Sequence, residues 1–451
     1  MMILYWRSSG RTPTGMEMLM WLGVAPVAVS GGGWMLRSAL HSGMNKALNA
    51  DITLTSTAKQ PGVHKPVAIQ QTAVAAASLH TWLGLGADAW LNDGHRLPLP
   101  PLSSTLRDAR GLPVQACEVD ALEARYGDVL ASATGAVRVH EQRALMLLQP
   151  VLETLLHEAY SRLPIAEHTP EVVVAGLRRN DTKPLKCSVT IELLVPQTWG
   201  DTYRHWLADW LHKQAQQMGF EVGQFDIQVT VLASVDAVWE RLRHIAVALE
   251  QDAMQQHLLL AASSYIDPQL LAEWDASGRL ATAERSAGDV PGEGAAGVLL
   301  SSHAAAKEQD AWLCLPQLVV LNDDTRQRPA ALRRHCVSAV TEYWESTGLA
   351  PDSLQFSVHD ATLHGDAALH AASVAVAVNP DLDPVRQGAS LRASAGELGL
   401  VLPLAQLALA QAQIQQRAES VLVQSVAAGS AFHFSLLTPS PLSRSLVGER
   451  V

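Results

Sequence analysis

Apolar and polar positions follow two recurring patterns along this chain from about residue 143 onward. Runs of β-branched and leucine residues, such as SVTIELLV at 188–195, predict buried strands. Other stretches carry apolar residues three and four positions apart and predict amphipathic helices. Ala144–Tyr160, for example, places Leu148, Leu152 and Leu155 on one face. Strands and helices in regular alternation predict layers of helices against a mostly parallel sheet.

The alternation occurs twice along the chain. In the first part we predict helices over 202–220 and 235–252 and strands over 170–176, 188–195, 225–233 and 257–265. In the second part we predict helices over 331–348 and 398–414 and strands over 312–324, 354–360 and 419–437. Two similar strings of strands and helices indicate an internally duplicated α/β fold.

The predicted division of the chain follows this duplication. Residues 1–23 form an N-terminal extension, and the first half covers 24–300 and begins with a core strand at Val24–Ser30. This half includes a covering region, 92–141, which opens with the proline-rich LPLPPLSS. The second half covers 301–451.

Composition narrows the possible functions. The chain has 451 residues, 48% of them hydrophobic and 17% charged, with a formal net charge of -11. It is therefore globular, and it lacks the basic stripe of a nucleic-acid-binding protein. The apolar run Met16–Ser30 contains Glu17 and Pro26 and is too short to span a bilayer, so no membrane span is expected.

The four cysteines (Cys117, Cys187, Cys314 and Cys336) lie far apart without zinc spacing. They predict reduced, semi-buried thiols in a cytoplasmic protein without a metal or cofactor.

A glycine-rich stretch, VPGEGAAGVLLS at Val290–Ser301, leads from an irregular segment into an apolar run. We interpret Gly292, Gly294 and Gly297 as a structural turn, in which a side chain would prevent close backbone packing. This stretch, with the segments around His359, 391–410 and 424–437, resembles the β-ketoacyl synthase branch of the thiolase superfamily. The resemblance implies a thiolase-like duplicated layered fold (α-β-α-β-α), with mixed sheets and helices between and outside them.

The residues that such a condensing enzyme needs are largely replaced. The family's nucleophilic cysteine should lie near Val231, but 231–235 reads VLASV. Ser234 is the one hydroxyl there, and a serine at a helix start is typically an N-cap. The family's second histidine should follow Gly396, but Glu397 stands there instead. A carboxylate would oppose the negative charge that develops in the reaction, so we interpret Glu397 as a capping-turn acid.

The family's first histidine corresponds to His359, followed by Asp360 where glycine is expected. His359, His364, Asp366 and His370 lack the spacing of metal ligands, so no metal site is predicted. The last loop keeps only Gly429 of the family's glycines, with other residues at Val426, Ala427 and Ala428.

These replacements predict a non-catalytic homologue that binds other proteins. Trp199, Trp206 and Trp210 cluster in one segment and form a candidate partner or dimer surface, although packing in the core is the simpler interpretation. Degenerate synthase-like proteins of this kind look similar to accessory proteins that assist type VI secretion effectors, and the family implies a homodimer. One alternative is a non-catalytic partner subunit of a ketosynthase heterodimer in fatty acid or polyketide synthesis. Another is an active acyltransferase that uses Ser234 with His359.

Overall fold

The computed structural model of the protein describes residues 69–91, 97–132, 137–163, 172–174, 177–179, 188–251, 255–321, 328–362, 366–426 and 431–442. The predicted extension 1–23 and the predicted core strand Val24–Ser30 lie outside these ranges. No helix among the described residues is both long enough and apolar enough to cross a membrane.

The described strands, numbered in chain order, are β1 (Gln71–Thr81), β2 (Gly84–Leu85), β3 (Leu102–Arg107), β4 (Pro113–Gln115), β5 (Val172–Val174), β6 (Leu177–Arg179), β7 (Val189–Pro196), β8 (Phe225–Leu232), β9 (Gln256–Ser264), β10 (Glu293–Ser301), β11 (Ala311–Cys314), β12 (Gln317–Val320), β13 (Leu354–His359), β14 (Gly388–Ser390), β15 (Ser420–Ser425) and β16 (Ala431–Thr438).

The described α-helices are α1 (Asp88–Leu91), α2 (Leu122–Tyr126), α3 (Val139–Ser161), α4 (Asp201–Met218), α5 (Val235–Gln251), α6 (Pro268–Ala276), α7 (Pro329–Thr347), α8 (Ala367–Val378), α9 (Leu391–Ala395) and α10 (Leu402–Arg417).

The main sheet has the strand order β14-β13-β15-β16-β11-β1-β10-β9-β7-β8, and its two halves repeat one topology. In the first half, β7 lies between the parallel strands β8 and β9, and β10 and β1 follow in antiparallel pairing. In the second half, β13 lies between the parallel strands β14 and β15, and β16 and β11 follow in the same way. The halves meet where β1 pairs with β11.

Helices cover the faces of this sheet in layers. α3 and α4 pack on the outer face of the first half around Leu148, Leu152 and Leu207. α7 and α8 pack on the second half, and α5 and α10 fill the space between the halves. α10 is buried on nearly all sides, and its buried residues include Gln406, Gln411 and Gln413 besides the apolar side chains. The predicted α-β-α-β-α arrangement is therefore confirmed.

Two local predictions differ from the structure. α3 begins at Val139, so the last residues of the predicted covering region 92–141 are helical. The reason is a cap, because Glu141 Oε2 accepts a hydrogen bond from the backbone N–H of Arg138 at 3.0 Å. The apolar run at 170–176 contributes β5, which pairs with β6 in a separate hairpin and does not join the main sheet.

Candidate functional site

The predicted nucleophile position lies where β8 leads into α5. Val231 is still inside β8, where it pairs with Val195 of β7. Ser234 immediately precedes α5, and its Oγ accepts a hydrogen bond from the backbone N–H of Ala237 at 3.3 Å. This is the bond an N-cap makes, and it occupies an oxygen lone pair of the one hydroxyl in this connection.

His359 ends β13, between Ser390 of β14 and Gln424 of β15. Burial lowers the pKa of His359 to about 4, so the imidazole is neutral at pH 7. The backbone N–H of Ala361 donates to its Nδ1 at 3.3 Å, which leaves the ring proton on Nε2. His359 therefore lies at the carboxyl edge of the parallel strands, where α/β sheets place their sites.

Asp360, the residue after this histidine, has a structural role that sequence reasoning missed. It is fully buried, and its Oδ1 accepts the backbone N–H of Val426 at 2.7 Å. Its Oδ2 accepts the hydroxyl of Ser425 at 2.6 Å. Asp360 thus links the end of β13 to the end of β15. In the sequence, only its position directly after a predicted strand could have indicated this role.

Glu397 is buried in an ion-pair network. Its Oε1 accepts the backbone N–H of Gly399 at 2.8 Å, which caps the short 3-10 turn ahead of α10. Its Oε2 accepts from the guanidinium of Arg392 and lies 3.7 Å from Arg279 Nη2. Asp289 binds both arginines, at 2.8 and 2.7 Å. The negative charge of Glu397 is therefore balanced by Arg392 and Arg279, which the sequence analysis did not identify as its partners.

Contacts link the start of α5 to the edge that carries His359. His433 of β16 lies 3.0 Å from Asp236 Oδ1, through its Nε2, and its ring stacks on Trp239. His433 also pairs in register with Ser425, whose hydroxyl binds Asp360. The structure thus connects the β8–α5 segment with the ends of β13 and β15. Residues 427–430, including Gly429, and His364 lie outside the described residues.

The predicted glycine turn has a different local structure. Gly294 and Gly297 lie inside β10 and Gly292 directly precedes it, because the stretch pairs with β9 and β1 along its length. A Cβ at Gly297 would lie 2.6 Å from side-chain atoms of Leu155 and Leu260, and one at Gly294 would lie 2.9 Å from the His80 carbonyl. The close packing expected of these glycines is thus present in a strand.

Glu293, the acidic residue of the glycine-rich stretch, lies at the centre of a second buried cluster of polar groups. Glu293 is fully buried and accepts from Arg143 of α3, at 2.8 Å to Nε and 2.6 Å to Nη2. It also accepts the hydroxyl of Ser264 at 2.8 Å and the backbone N–H of Val119 at 2.7 Å. Glu293 therefore joins β9, β10, α3 and the covering region.

The tryptophan cluster packs mainly inside the chain. Trp199 is 5% and Trp210 is 4% exposed, and both belong to the core between α3, α4 and the sheet. Tyr203 and Trp206 stack in parallel at 5.7 Å, and Trp206 stacks on Trp210 at 6.3 Å. Trp210 therefore lies on the inward face of α4, and Trp199 is buried just before that helix, so the core-packing interpretation fits both residues. Trp206 alone of the three is partly exposed.

The described cysteines are buried free thiols: Cys117, Cys314 and Cys336. Burial raises the pKa of Cys314 and of Cys336 to about 11, and it raises that of Cys117 as well. Cys187 lies outside the described residues. Among the described residues, no group of three histidine, cysteine or carboxylate side chains is arranged to hold a metal ion.

No protein-family model matches this chain. No curated protein matches its sequence either.

Solved structures do match its fold. The ketosynthase from module 6 of the bacillaene synthase of Bacillus subtilis 168 is 12% identical. That match covers 82% of this chain and 72% of that chain, with a TM-score of 0.52.

Two further matches have TM-scores of 0.47. An oxazolomycin ketosynthase domain of Streptomyces albus JA3453 is 16% identical, over 85% of this chain and 100% of that chain. The ishigamide ketosynthase/chain length factor is 13% identical, over 82% of this chain and 99% of that chain. The strand order and the match to the bacillaene ketosynthase together show that this chain has the duplicated thiolase-like fold of ketosynthases.

Proposed function

We propose that this protein is a non-catalytic ketosynthase-like protein that acts in the cytoplasm as a protein-binding adaptor. One observation carries the proposal. The β8–α5 connection has no thiol, and the oxygen of its one hydroxyl, that of Ser234, accepts the N-cap hydrogen bond. Acyl transfer of this kind requires an activated nucleophile at that position.

The surrounding groups support the proposal. A thiol with a pKa of about 11, as at Cys314 and Cys336, is thiolate in only about one molecule in 10⁴ at pH 7. Glu397 presents acceptor oxygens where a charge-stabilising donor would be needed, and its oxygens bind Arg392 and Gly399. Three buried free cysteines also suit a reducing compartment.

Acyl loading tests the lack of catalysis directly. The protein is incubated with acyl-CoA and acyl-carrier thioesters, and intact mass is measured for the wild type, Ser234→Ala and Ser277→Ala. Ser277 is the matched control, because its hydroxyl donates to the backbone carbonyl of Glu273 at the C-terminal end of α6. We expect no adduct, and we expect Ser234→Ala to lower the free energy of unfolding by about 1 kcal/mol. A stable adduct that Ser234→Ala alone abolishes would establish the alternative acyltransferase function.

The edge of the sheet at β8 is the surface we propose for protein contacts. β8 spans eight residues and, among the described strands, pairs only with β7. Side chains from Ile227 to Leu232 are partly exposed in the single chain. A long edge strand with half-buried side chains favours strand addition, either from a second copy across a twofold axis or from a related chain.

Light scattering tests this surface with two matched variants. Val229→Lys places a charge within β8, whereas Val222→Lys makes the same change at a residue that lies before the strand and is 73% exposed. We expect a wild-type dimer that Val229→Lys dissociates and Val222→Lys leaves intact, with both variants folded by circular dichroism. A folded Val229→Lys protein that keeps the wild-type mass would exclude β8 as the contact.

The partner class we propose is a type VI secretion effector, because the sequence resembles accessory proteins of that system. Copurification of the tagged protein from its host provides the test. Recovery of an effector, a spike protein or their chaperone supports the proposal. Recovery of an active ketosynthase or a carrier protein instead supports the alternative heterodimeric subunit, and recovery of neither class excludes both roles.

A further inference from the structure

The helices α7 and α8 run side by side on the second half of the sheet, and their N-termini meet. Both helices pack with β13, β15 and β16 in one core. α8 begins shortly after the end of β13, and His370 in its first turns donates a hydrogen bond to the carbonyl of Pro329, the first residue of α7. The positive ends of two helix dipoles therefore lie together at the carboxyl edge of the parallel strands.

Neither helix start is capped by a side chain of its own N-cap residue. Arg328 precedes α7 and Asp366 precedes α8, and neither side chain makes a capping hydrogen bond. The first backbone N–H groups of α8, at Ala367 and Ala368, have no partner within the helix. Uncapped helix starts of this kind attract anions.

Two buried nitrogen atoms at this point have no hydrogen-bond partner within the part of the chain that the structure describes, which is an independent indication of a ligand. His370 is only 6% exposed, and its Nε2 has no hydrogen-bond partner among the described residues. The Nε of Arg333, in the second turn of α7, is likewise buried and unpartnered. A buried polar atom without a hydrogen-bond partner is unfavourable, so a group that bonds both atoms would be favoured.

The state of His370 decides which ligand fits. Burial and the charge of Arg333 lower the pKa of His370, and they outweigh the opposing effects of Asp366 and the Pro329 carbonyl. The ring is then neutral, and because Nδ1 donates to Pro329, its Nε2 offers a lone pair. The site thus combines a cation and N–H donors with one acceptor.

We propose that the α7–α8 junction binds the phosphate group of inorganic phosphate or of a phosphate monoester. Arg333 and the N–H groups of α8 donate to the phosphate oxygens. The remaining O–H of a monoprotonated phosphate donates to Nε2 of His370. The carboxylate of Asp366 repels the anion and limits the affinity. This site is separate from Glu397 and from the β8 edge, so its test is independent of the adaptor function.

Isothermal titration calorimetry of the full chain at pH 6.5 tests the proposal with inorganic phosphate, phenyl phosphate and sulfate. We expect inorganic phosphate, which keeps an O–H at this pH, to bind, and sulfate, which lacks an O–H, to bind more weakly. Phenyl phosphate is mainly a dianion at this pH, so we expect it to bind through its monoanion, which keeps one O–H. Arg333→Gln should lower the affinity by about tenfold, whereas Arg334→Gln, the same change at the exposed neighbouring residue, should have little effect. The relative affinities of the two phosphates, compared for the form of each that carries an O–H, show whether a free or an esterified group fits the site better.

A second variant keeps the test valid if Arg333→Gln unfolds. Asp366→Asn removes the repelling charge and should tighten phosphate binding severalfold. Failure of both phosphates to bind, equal binding of sulfate, or equal losses in Arg333→Gln and Arg334→Gln would each overturn the proposal.

Discussion

Gly292 offers the sharpest test of the view that the glycine-rich stretch serves packing. A Cβ built at Gly292 would overlap the carbonyl oxygen of Ala395 and lie 3.0 Å from that of Glu397. Both neighbours are backbone, so no side chain can rotate away. To restore a C···O distance of about 3.3 Å, the two segments would have to separate by about 1 Å.

The expected cost follows from the backbone hydrogen bonds that hold residues 290–292, which would shift with Gly292. The carbonyls of Val290, Pro291 and Gly292 accept backbone N–H groups of Glu397, Cys117 and Tyr265 at 2.8 to 2.9 Å. Weakening these bonds costs about 0.5–1.5 kcal/mol each. Overpacking adds about 1–3 kcal/mol. Gly292→Ala should therefore lower the free energy of unfolding by about 2.5–7.5 kcal/mol.

Urea unfolding followed by circular dichroism measures this loss, with Gly127→Ala as the matched control. Gly127 has a helical φ of -61°, and a Cβ there would meet no atom within 4 Å. Gly127→Ala should leave stability unchanged or raise it by about 0.5 kcal/mol. If Gly292→Ala unfolds at the same urea concentration as Gly127→Ala, the packing explanation of Gly292 is refuted.

Three further predictions concern buried side chains. Glu293→Gln should cost about 3 kcal/mol in urea unfolding, because it breaks a fully buried ion pair. Glu123→Gln removes the exposed partner of the same arginine and should cost under about 1 kcal/mol, and similar losses would contradict this. Burial opposes ionisation of Glu192, but hydrogen bonds from His257, Arg241 and Thr230 outweigh it and lower its pKa from 4.5 to about 2. The ionised Glu192 therefore contributes up to about 3 kcal/mol to the free energy of unfolding. This contribution is complete above pH 4.5 and is lost as the pH falls toward 2. The slope of unfolding free energy against pH should flatten in Glu192→Gln, and an unchanged slope would assign the acid sensitivity to other groups. Trp210→Ala should cost about 3–5 kcal/mol by thermal unfolding and Trp206→Ala clearly less, whereas the reverse order would contradict the inward orientation of α4.

The layered fold could be predicted from the sequence because its elements have strong local patterns. The apolar run of β7 and the heptad-like spacing of leucines in α3 each indicate one element within about 20 residues of sequence. The start of α3 was misplaced because its cap depends on Glu141 binding the backbone of Arg138, and neither residue is apolar.

The site was only partly predictable, since its contacts join distant residues. The sequence alone shows that 231–235 contains no cysteine and that a glutamate follows Gly396. Arg143 and Glu293 are 150 positions apart, and Asp236 and His433 are 197 apart, so no local pattern indicates that these pairs meet. Burial of Trp210 likewise depends on which face of α4 the sheet covers, and the spacing of residues along the sequence does not reveal that face.

The pairing of β1 with β11 also determines how the protein is assembled during synthesis. β1 bonds β10 on one side and β11 on the other, so the edge from Gln71 to Val74 stays open until Cys314 has left the ribosome. Ala73 and Val74 are fully buried in the finished fold and would be exposed to water during that interval. A nascent chain that pauses between Ser301 and Ala311 therefore exposes the unpaired apolar edge of β1. A chaperone or a second nascent chain could bind to that edge.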